Sequence, residues 1–352
     1  MNKNRLFLDI HAIQSVPSSN INRDDTGSPK TAQYGGVTRS RVSSQSWKKA
    51  IRNYFKEYGN QADVGIRSLE VVRYIAEKIK NQDTDINAED AMNLADKVLN
   101  DAGVKTKDQK ARALFFISSK QAEHLAQAAL EGNYVKKELK ELLKKDPAID
   151  IALFGRMVAD DPLLNQDASS QVGHAISTHA VQTEFDFYTA TDDFSSREDA
   201  GAGMLGTVEY NSATLYRYAN VGVHEFYQQL EKDPEKTVNS LSLFIEAFLK
   251  SMPSGKANTF ANQTLPQALL ISLRDDRPVN LVTAFERPII SNKGYIQESI
   301  QALVQEQEKI KKWTNEPIKT YTLGIESSGY EKDNLNQLLE DTKEDLLNKL
   351  KD

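Results

Sequence analysis

The stretch VSSQSWKKAIRNYFKEY, residues 42–58, decides how the chain around it is read. Trp47, Ile51, Tyr54, Phe55 and Tyr58 recur at intervals of three and four, the spacing that stacks side chains on one face of an α-helix, so that face must be buried. Ser43 or Ser44 stands where a hydroxyl caps the first turn. Gln45, Lys48, Lys49, Arg52 and Lys56 hold the opposite flank at the same spacings, leaving one side to pack and one side cationic. Backbone N–H groups from Ser43 to Ser46 are left over at the helix start, a natural seat for a phosphate. A solvated basic face is the plain alternative. The capped start, the upstream Gly35 and Gly36 and the segregation of charge together favour phosphate binding.

Upstream of this helix, Leu6 to Val16 alternates and is rich in β-formers, which predicts a first strand. Residues 16–40 carry Pro17, Gly27, Pro29, Gly35 and Gly36 among Ser, Asn and Asp, and read as a long polar loop. Downstream there is no proline between Pro29 and Pro147, and after Gly59 the chain is dominated by helix formers with amphipathic periodicity, a helical insertion. Extended character returns at Thr178 to Ala190, breaks in a Gly-rich loop from Asp192 to Gly206, and resumes at Thr207 to Val223, the pattern of a long hairpin. Further expectations are helices over Val238–Lys250, Ile296–Trp313 and Leu335–Leu350, and strands at Ala268–Arg274, Val279–Thr283 and Ile318–Ile325. Without the insertion and the hairpin, the order is strand, helix, strands, helix, strand. That is an α+β fold with a split βαβ sheet of ferredoxin-like or RNA-recognition-motif type.

Composition narrows the chemistry. With 352 residues and 39% hydrophobic content the chain can bury a sizeable core. Cysteine is absent, which excludes disulfides, thiolate metal sites and cysteine nucleophiles. No window offers the roughly 20 apolar residues of a membrane span, and the opening MNKNRLFLDIHAI lacks the core of a signal peptide, so a cytoplasmic protein is expected. The net charge of −6 argues against a polyanion partner until its distribution is read. From Met1 to Lys56 ten Lys and Arg residues face only Asp9, Asp24 and Asp25. A basic segment on an acidic body suits a confined groove, or head-to-tail contact between identical subunits.

Three constellations promise more than they deliver. Gly201, Gly203 and Gly206 spell G-x-G-x-x-G, but TVEYNSATLYRYANV follows as a strand where a dinucleotide site needs a helix start. The glycines fit a hairpin tip that approaches another chain; Phe185, Phe187, Tyr188, Phe194, Met204 and Leu205 surround its base and tip, of which Phe185 and Phe187 are assigned to local core packing and the rest are open to contact with bases. His174 and His179 are five apart, which misses the spacing of a helical zinc pair, so no metal and no cofactor are expected. His11 has the chemistry of a general base for RNA cleavage, yet nothing in the sequence supplies its partner.

Several strings together resemble the CasC family, the repeated RNA-binding backbone subunits of the type I-E CRISPR Cascade complex in the RAMP superfamily. They are NINRDD (20–25), YGG (34–36), RSRVSSQSWKKA (39–50), DIALFGRM (150–157), HAISTHAVQTEFDFYTATDD (174–193), LGT (205–207), LYRYANV (215–221), PSGKANTFA (253–261) and VTAFERP (282–288). The resemblance implies a hand. A palm over 1–59, 151–186 and 222–352, the last with C-terminal helices, carries helical fingers at 60–150 and a thumb hairpin at 187–221. It implies a non-catalytic protein, several copies of which line up along one CRISPR RNA while the guide, not the protein, reads target DNA. By the same resemblance Arg23, Lys30, Ser43, Gln45, Lys48 and Lys49 contact phosphate and sugar, with Arg52 following on the same helical face and Lys256 added from the PSGK string. Arg156 and Met157 lie beside the kinked base, and Tyr188 and Leu205 reach it from the thumb. Implied partners are CRISPR RNA, target DNA paired to it, further copies of the chain and the other Cascade subunits. Those are the 5′-end cap, the large and small subunits and the CRISPR RNA endonuclease, with a helicase-nuclease engaged indirectly and no membrane. The competing expectation is a RAMP-type, metal-independent endoribonuclease built on His11.

Overall fold

The computed structural model describes residues 5–60, 63–189, 205–326 and 329–351. Strand β1 (Phe7–Ser19) is buried on both faces over most of its length, which explains its nearly unbroken apolar run. Part of the expected polar loop is instead a hairpin of β2 (Thr31–Tyr34) and β3 (Val37–Val42). Gly35 and Gly36 form its two-residue turn at φ 61° and 78°, the left-handed region that such hairpins require and glycine supplies. A side chain at Gly35 would also overlap the Glu286 carbonyl oxygen, 1.6 Å from an ideal Cβ. Helix α1 (Ser44–Tyr58) is capped by Ser43, whose hydroxyl accepts from Ser46 N–H. It buries Trp47, Ala50, Ile51 and Phe55 as its periodicity demands, while Tyr58 lies exposed at the last turn.

Next come β4 (Ile66–Ser68), α2 (Val71–Gln82), α3 (Ala88–Asp101), β5 (Thr106–Lys107), β6 (Lys110–Ala111), β7 (Phe115–Ile117), α4 (Ser119–Glu131) and α5 (Lys136–Leu142). Val72, Ile75, Ile79, Ala95, Leu99, Leu125 and Ala126 give these helices a hydrophobic core of their own. The chain returns through α6 (Ile149–Phe154), β8 (Ser170–Val172) and β9 (Ala175–Ser177). The long hairpin is β10 (Glu184–Thr189) against the first third of β11 (Leu205–Gly222). Its strand begins later than expected, because residues 178–183 cross over Thr38 and Thr214 as coil. After β11 come α7 (Val223–Gln229), α8 (Pro234–Lys250), α9 (Ala257–Phe260), β12 (Ala268–Arg274), α10 (Ile296–Ile310), β13 (Lys319–Leu323) and α11 (Leu335–Lys351). The strand expected at Val279–Thr283 is a 3₁₀ turn over Leu281–Phe285. Asn280 caps that turn by accepting from Val282 N–H, and Leu281 and Phe285, four apart, go into the core together.

The main sheet is antiparallel throughout, with its strands in the order β13-β12-β1-β11-β9-β3-β2. On one face Leu8, Ile10 and Ala12 pack with Ile51 and Phe55 of α1 and Leu241, Phe244 and Phe248 of α8. On the other, Ile13, Tyr216, Tyr218 and Leu270 meet Leu281, Phe285, Ile300 and Leu303, so α10 covers the face that alternation leaves free. The fold is α+β. Among the described residues no helix is long and apolar enough to cross a membrane.

Candidate nucleic-acid interface

α1 is fixed by an arginine that α1 does not contain. The Arg217 guanidinium lies 3.6 Å from the Trp47 ring and 4.4 Å from that of Phe248. It donates to Gln14 Oε1 at 2.6 Å and to the Phe248 carbonyl, and burial pulls its pKa down to about 9. With Trp47 clamped inside, the flank carrying Gln45, Lys48, Lys49, Arg52 and Lys56 faces a cleft of about 880 Å³. The far wall is formed by Phe116, by Phe154 to Met157 and by residues 165–168. Lys48 is half-buried with Nζ 5.6 Å from the Phe154 ring, and loss of water lowers its pKa. Met157 projects from the wall at 85% exposure, unusual for a side chain with nothing to cover it. At the helix start Ser44 and Gln45 keep backbone N–H groups with no partner among the described residues.

Two further recesses adjoin the cleft across α1. Lys49 and Asn53 line it and also line a second recess of about 440 Å³ beside Lys250–Gly255, and Ile21 and Gly255 connect that recess to a third around Arg23. Lys256 follows Gly255 directly, at φ 51°. Lys30 joins through Asn22, whose carbonyl accepts from Lys30 N–H and whose side chain accepts from Ser43 N–H. Lys30 and Arg41 also keep His174 below its ordinary pKa after burial, a sign that cations crowd there. The hairpin is rooted at the same end. Asn20 donates to the Glu209 carbonyl at 2.8 Å, and the Tyr210 ring sits 5.7 Å from Phe260. Gln45, Lys48, Lys49 and Met157 thus line the first of three adjoining recesses and Arg23 the third, with Lys30 and Lys256 next to residues that border them, at the end where the hairpin leaves the sheet.

This arrangement has relatives. A family profile described as CT1975-like protein matches residues 8–351. The chain belongs to the CT1975-like family. A chain of a structure titled "CRISPR RNA-guided surveillance complex, pre-nicking" superposes with a TM-score of 0.83 at 31% identity, covering 97% of this chain and 100% of that one. A chain of a "CRISPR RNA-guided surveillance complex" superposes at 0.73 with 27% identity, covering 96% and 99%. The search of curated proteins found no match.

In this CT1975-like chain three candidate residues do other work. Arg156 is buried, with Nε donating to Leu164 O, Nη1 to Phe116 O and Gln121 Oε1, and Nη2 to Leu143 O at 2.7 Å. Its side chain stitches the helical unit to the return segment and commits every nitrogen to a protein acceptor, so its main work is structural. Arg52 reaches the cleft but is ion-paired, Nε to Asp150 Oδ2 at 2.8 Å. Ser43 is buried and acts as the helix cap. Arg39, on the basic segment, is buried too, bonded to the carbonyls of Tyr34, Ser177 and Phe285.

The hairpin residues divide. Tyr188 is exposed at 46%, and its ring lies over Gly206, where a Cβ would come within 2.4 Å of the hydroxyl. Phe185 and Phe187, expected in a local core, stand exposed at 65% each on the opposite face of the same strand. Gly201, Gly203, Phe194, Met204 and the Leu205 side chain lie outside the described residues. His179 is stacked on Tyr295 at 3.7 Å and receives Thr214 N–H on Nε2, so it is a bonded core histidine. Among the described residues no group of three or more His, Cys, Asp or Glu could hold a metal ion. His11 sits 2% exposed in the sheet beside Tyr216, and burial and Arg274 drive its pKa down to about 3. In that position it cannot reach a phosphate. The sequence missed the cleft's opposite wall, Arg67, Leu114, Phe116 and Phe154, because nothing local links those positions to α1.

Proposed function

We propose that this chain is a non-catalytic, guide-RNA-binding backbone subunit of a type I-E CRISPR surveillance complex. The observation that carries the proposal is the row of three adjoining recesses from Met157 past Lys48 and Lys49 to Arg23, with the hairpin rooted at its end. A single strand bound without regard to sequence needs cations along its backbone and apolar or aromatic side chains against its bases; Lys48, Lys49 and Arg23 supply the first, Met157 and Tyr188 the second. The likeness to chains of CRISPR RNA-guided surveillance complexes supports the same reading.

The palm of this proposal is an RNA-recognition-like, ferredoxin-like sheet. In support, β12-β1-β11-β9 follow the strand order 4-1-3-2 with α1 and α8 on one face. Here α10 occupies the opposite face, so RNA lies along α1 and not across the sheet. Further copies of the chain, other complex subunits and target DNA paired to the guide complete the proposed assembly in the cytoplasm. Cleavage through His11 is disfavoured by its burial.

The test is purification of the tagged chain with the rest of its complex, followed by RNA extraction and partial nuclease digestion. RNA of defined length, protected at regular intervals, is expected. Recovery of the complex without RNA, or cutting of labelled CRISPR RNA at one phosphate by the chain alone, overturns the reading.

A further inference from the structure

Asp150 is not part of the cleft lining, yet it ties α1 to the entry of the helical unit behind it. The side chain is fully buried on α6. Oδ2 accepts from Arg52 Nε on α1 at 2.8 Å, and Oδ1 accepts from Gly65 N–H, also at 2.8 Å, where the chain enters the helical unit. Arg52 Nη2 closes the ring on the Gly65 carbonyl at 3.2 Å, and the guanidinium lies 4.3 Å from the Phe116 ring. Gly65 is obligatory here, since a Cβ would fall 2.6 Å from that ring. α6 itself runs directly into Phe154 and Met157 on the far wall.

The ring of contacts engages Nε and Nη2 of the Arg52 fork and leaves Nη1. Nη1 has no partner among the described residues, and Arg52 lines the cleft. A guanidinium held by one edge on a carboxylate is oriented for a second oxyanion by its free edge, because its donors are coplanar and rigid. Burial raises the Asp150 carboxyl, whereas Arg52 and Gly65 N–H act the other way, so the charged form depends on both bonds.

We propose that Asp150 is a positioning residue for phosphate recognition, aiming the free edge of Arg52 into the cleft and holding α1, the entry at Gly65 and the wall at Met157 in register. The proposal rests on the RNA-binding reading above. It gives Arg52 a different role from Lys48 and Lys49, whose ammonium groups act as unoriented charges.

The experiment measures affinity for a labelled single-stranded RNA against salt concentration, using the full chain and its variants. Asp150→Asn is expected to weaken binding about tenfold and to lower the salt slope by about 0.7, the share of one phosphate contact on a single strand. The double variant Asp150→Asn/Arg52→Gln should bind no more weakly than Arg52→Gln alone. Arg52→Lys keeps the charge but not the fork, and should lose about as much as Arg52→Gln. If Asp150→Asn does not fold, Arg52→Lys decides the matter by itself. Wild-type affinity and slope in folded Asp150→Asn, or in Arg52→Lys, overturn the proposal. Lys48→Gln and Lys49→Gln separate the two readings: if they too leave binding unchanged, the groove itself is wrong.

Discussion

Lys48 and Arg156 show how differently two cations of one basic chain are used. Lys48 keeps its ammonium at the cleft beside the Phe154 ring, with no ion pair or hydrogen bond among the described residues, whereas Arg156 gives every nitrogen to the protein. Lys48→Gln is therefore expected to reduce RNA affinity and salt slope with little change in stability. Arg156→Met should cost about 3 kcal/mol in chemical denaturation, because several buried acceptors lose their donor, and should leave the salt slope of any remaining folded protein intact. His11 allows a pH experiment. Its pKa falls from the ordinary 6.5 to about 3 in the folded chain, so the stability that its neutral form brings is present above pH 6.5 and lost as pH falls toward 3. Asp9, raised by burial to about 6, acts with the opposite sign, favouring the fold below its ordinary value and losing that advantage as pH rises through 6. The two offset each other between about pH 6 and pH 4. Replacing His11 by Gln removes one partner: relative to the parent, His11→Gln should gain about 3 kcal/mol between pH 6.5 and pH 4, and an unchanged difference would contradict the burial assigned to the ring.

Helix α1 depends on its ends and on what clamps its middle. Ser43→Ala removes the acceptor of Ser46 N–H and should lower stability by about 1 kcal/mol, read as a shift in denaturation midpoint without a change in slope. The β2–β3 hairpin is more exacting. At Gly35 a methyl group meets both a left-handed φ and the Glu286 carbonyl, so Gly35→Ala should cost more than the roughly 1 kcal/mol of φ strain alone and should detach the hairpin from the 286–289 segment, seen as faster amide exchange there. The β10–β11 hairpin presents Phe185 and Phe187 to solvent, a pairing that favours contact with a second surface over a free-standing arm.

Across the whole molecule, a chain of net charge −6 carries a cationic path, and only the arrangement of charges reconciles the two. Basic α1 faces the cleft while the acidic surplus is distributed over the rest of the chain. RNA binding should therefore weaken with salt according to the number of phosphates engaged, and the mass of the assembled complex should rise in regular steps with RNA length. An assembly of fixed size on RNAs of different length would contradict a backbone that lines up along its guide.

The sequence by itself determined the amphipathic helix at 44–58, the first strand, the α+β class and the cationic face, because each is written in local periodicity and charge that no distant contact alters. It also held the family resemblance, since those strings lie in order along the chain. Only the tertiary structure decided which cations are free. Arg39, Arg156 and Arg217 read like Lys48 in sequence, but each is claimed by carbonyls that lie far away along the chain, and Arg52 by the buried Asp150. It likewise turned Leu281–Phe285 from an expected strand into a 3₁₀ turn, because two side chains four apart found the same pocket in the core. Burial and partnership are properties of the folded chain, and a charge becomes a binding group only where folding leaves it a donor that faces outward.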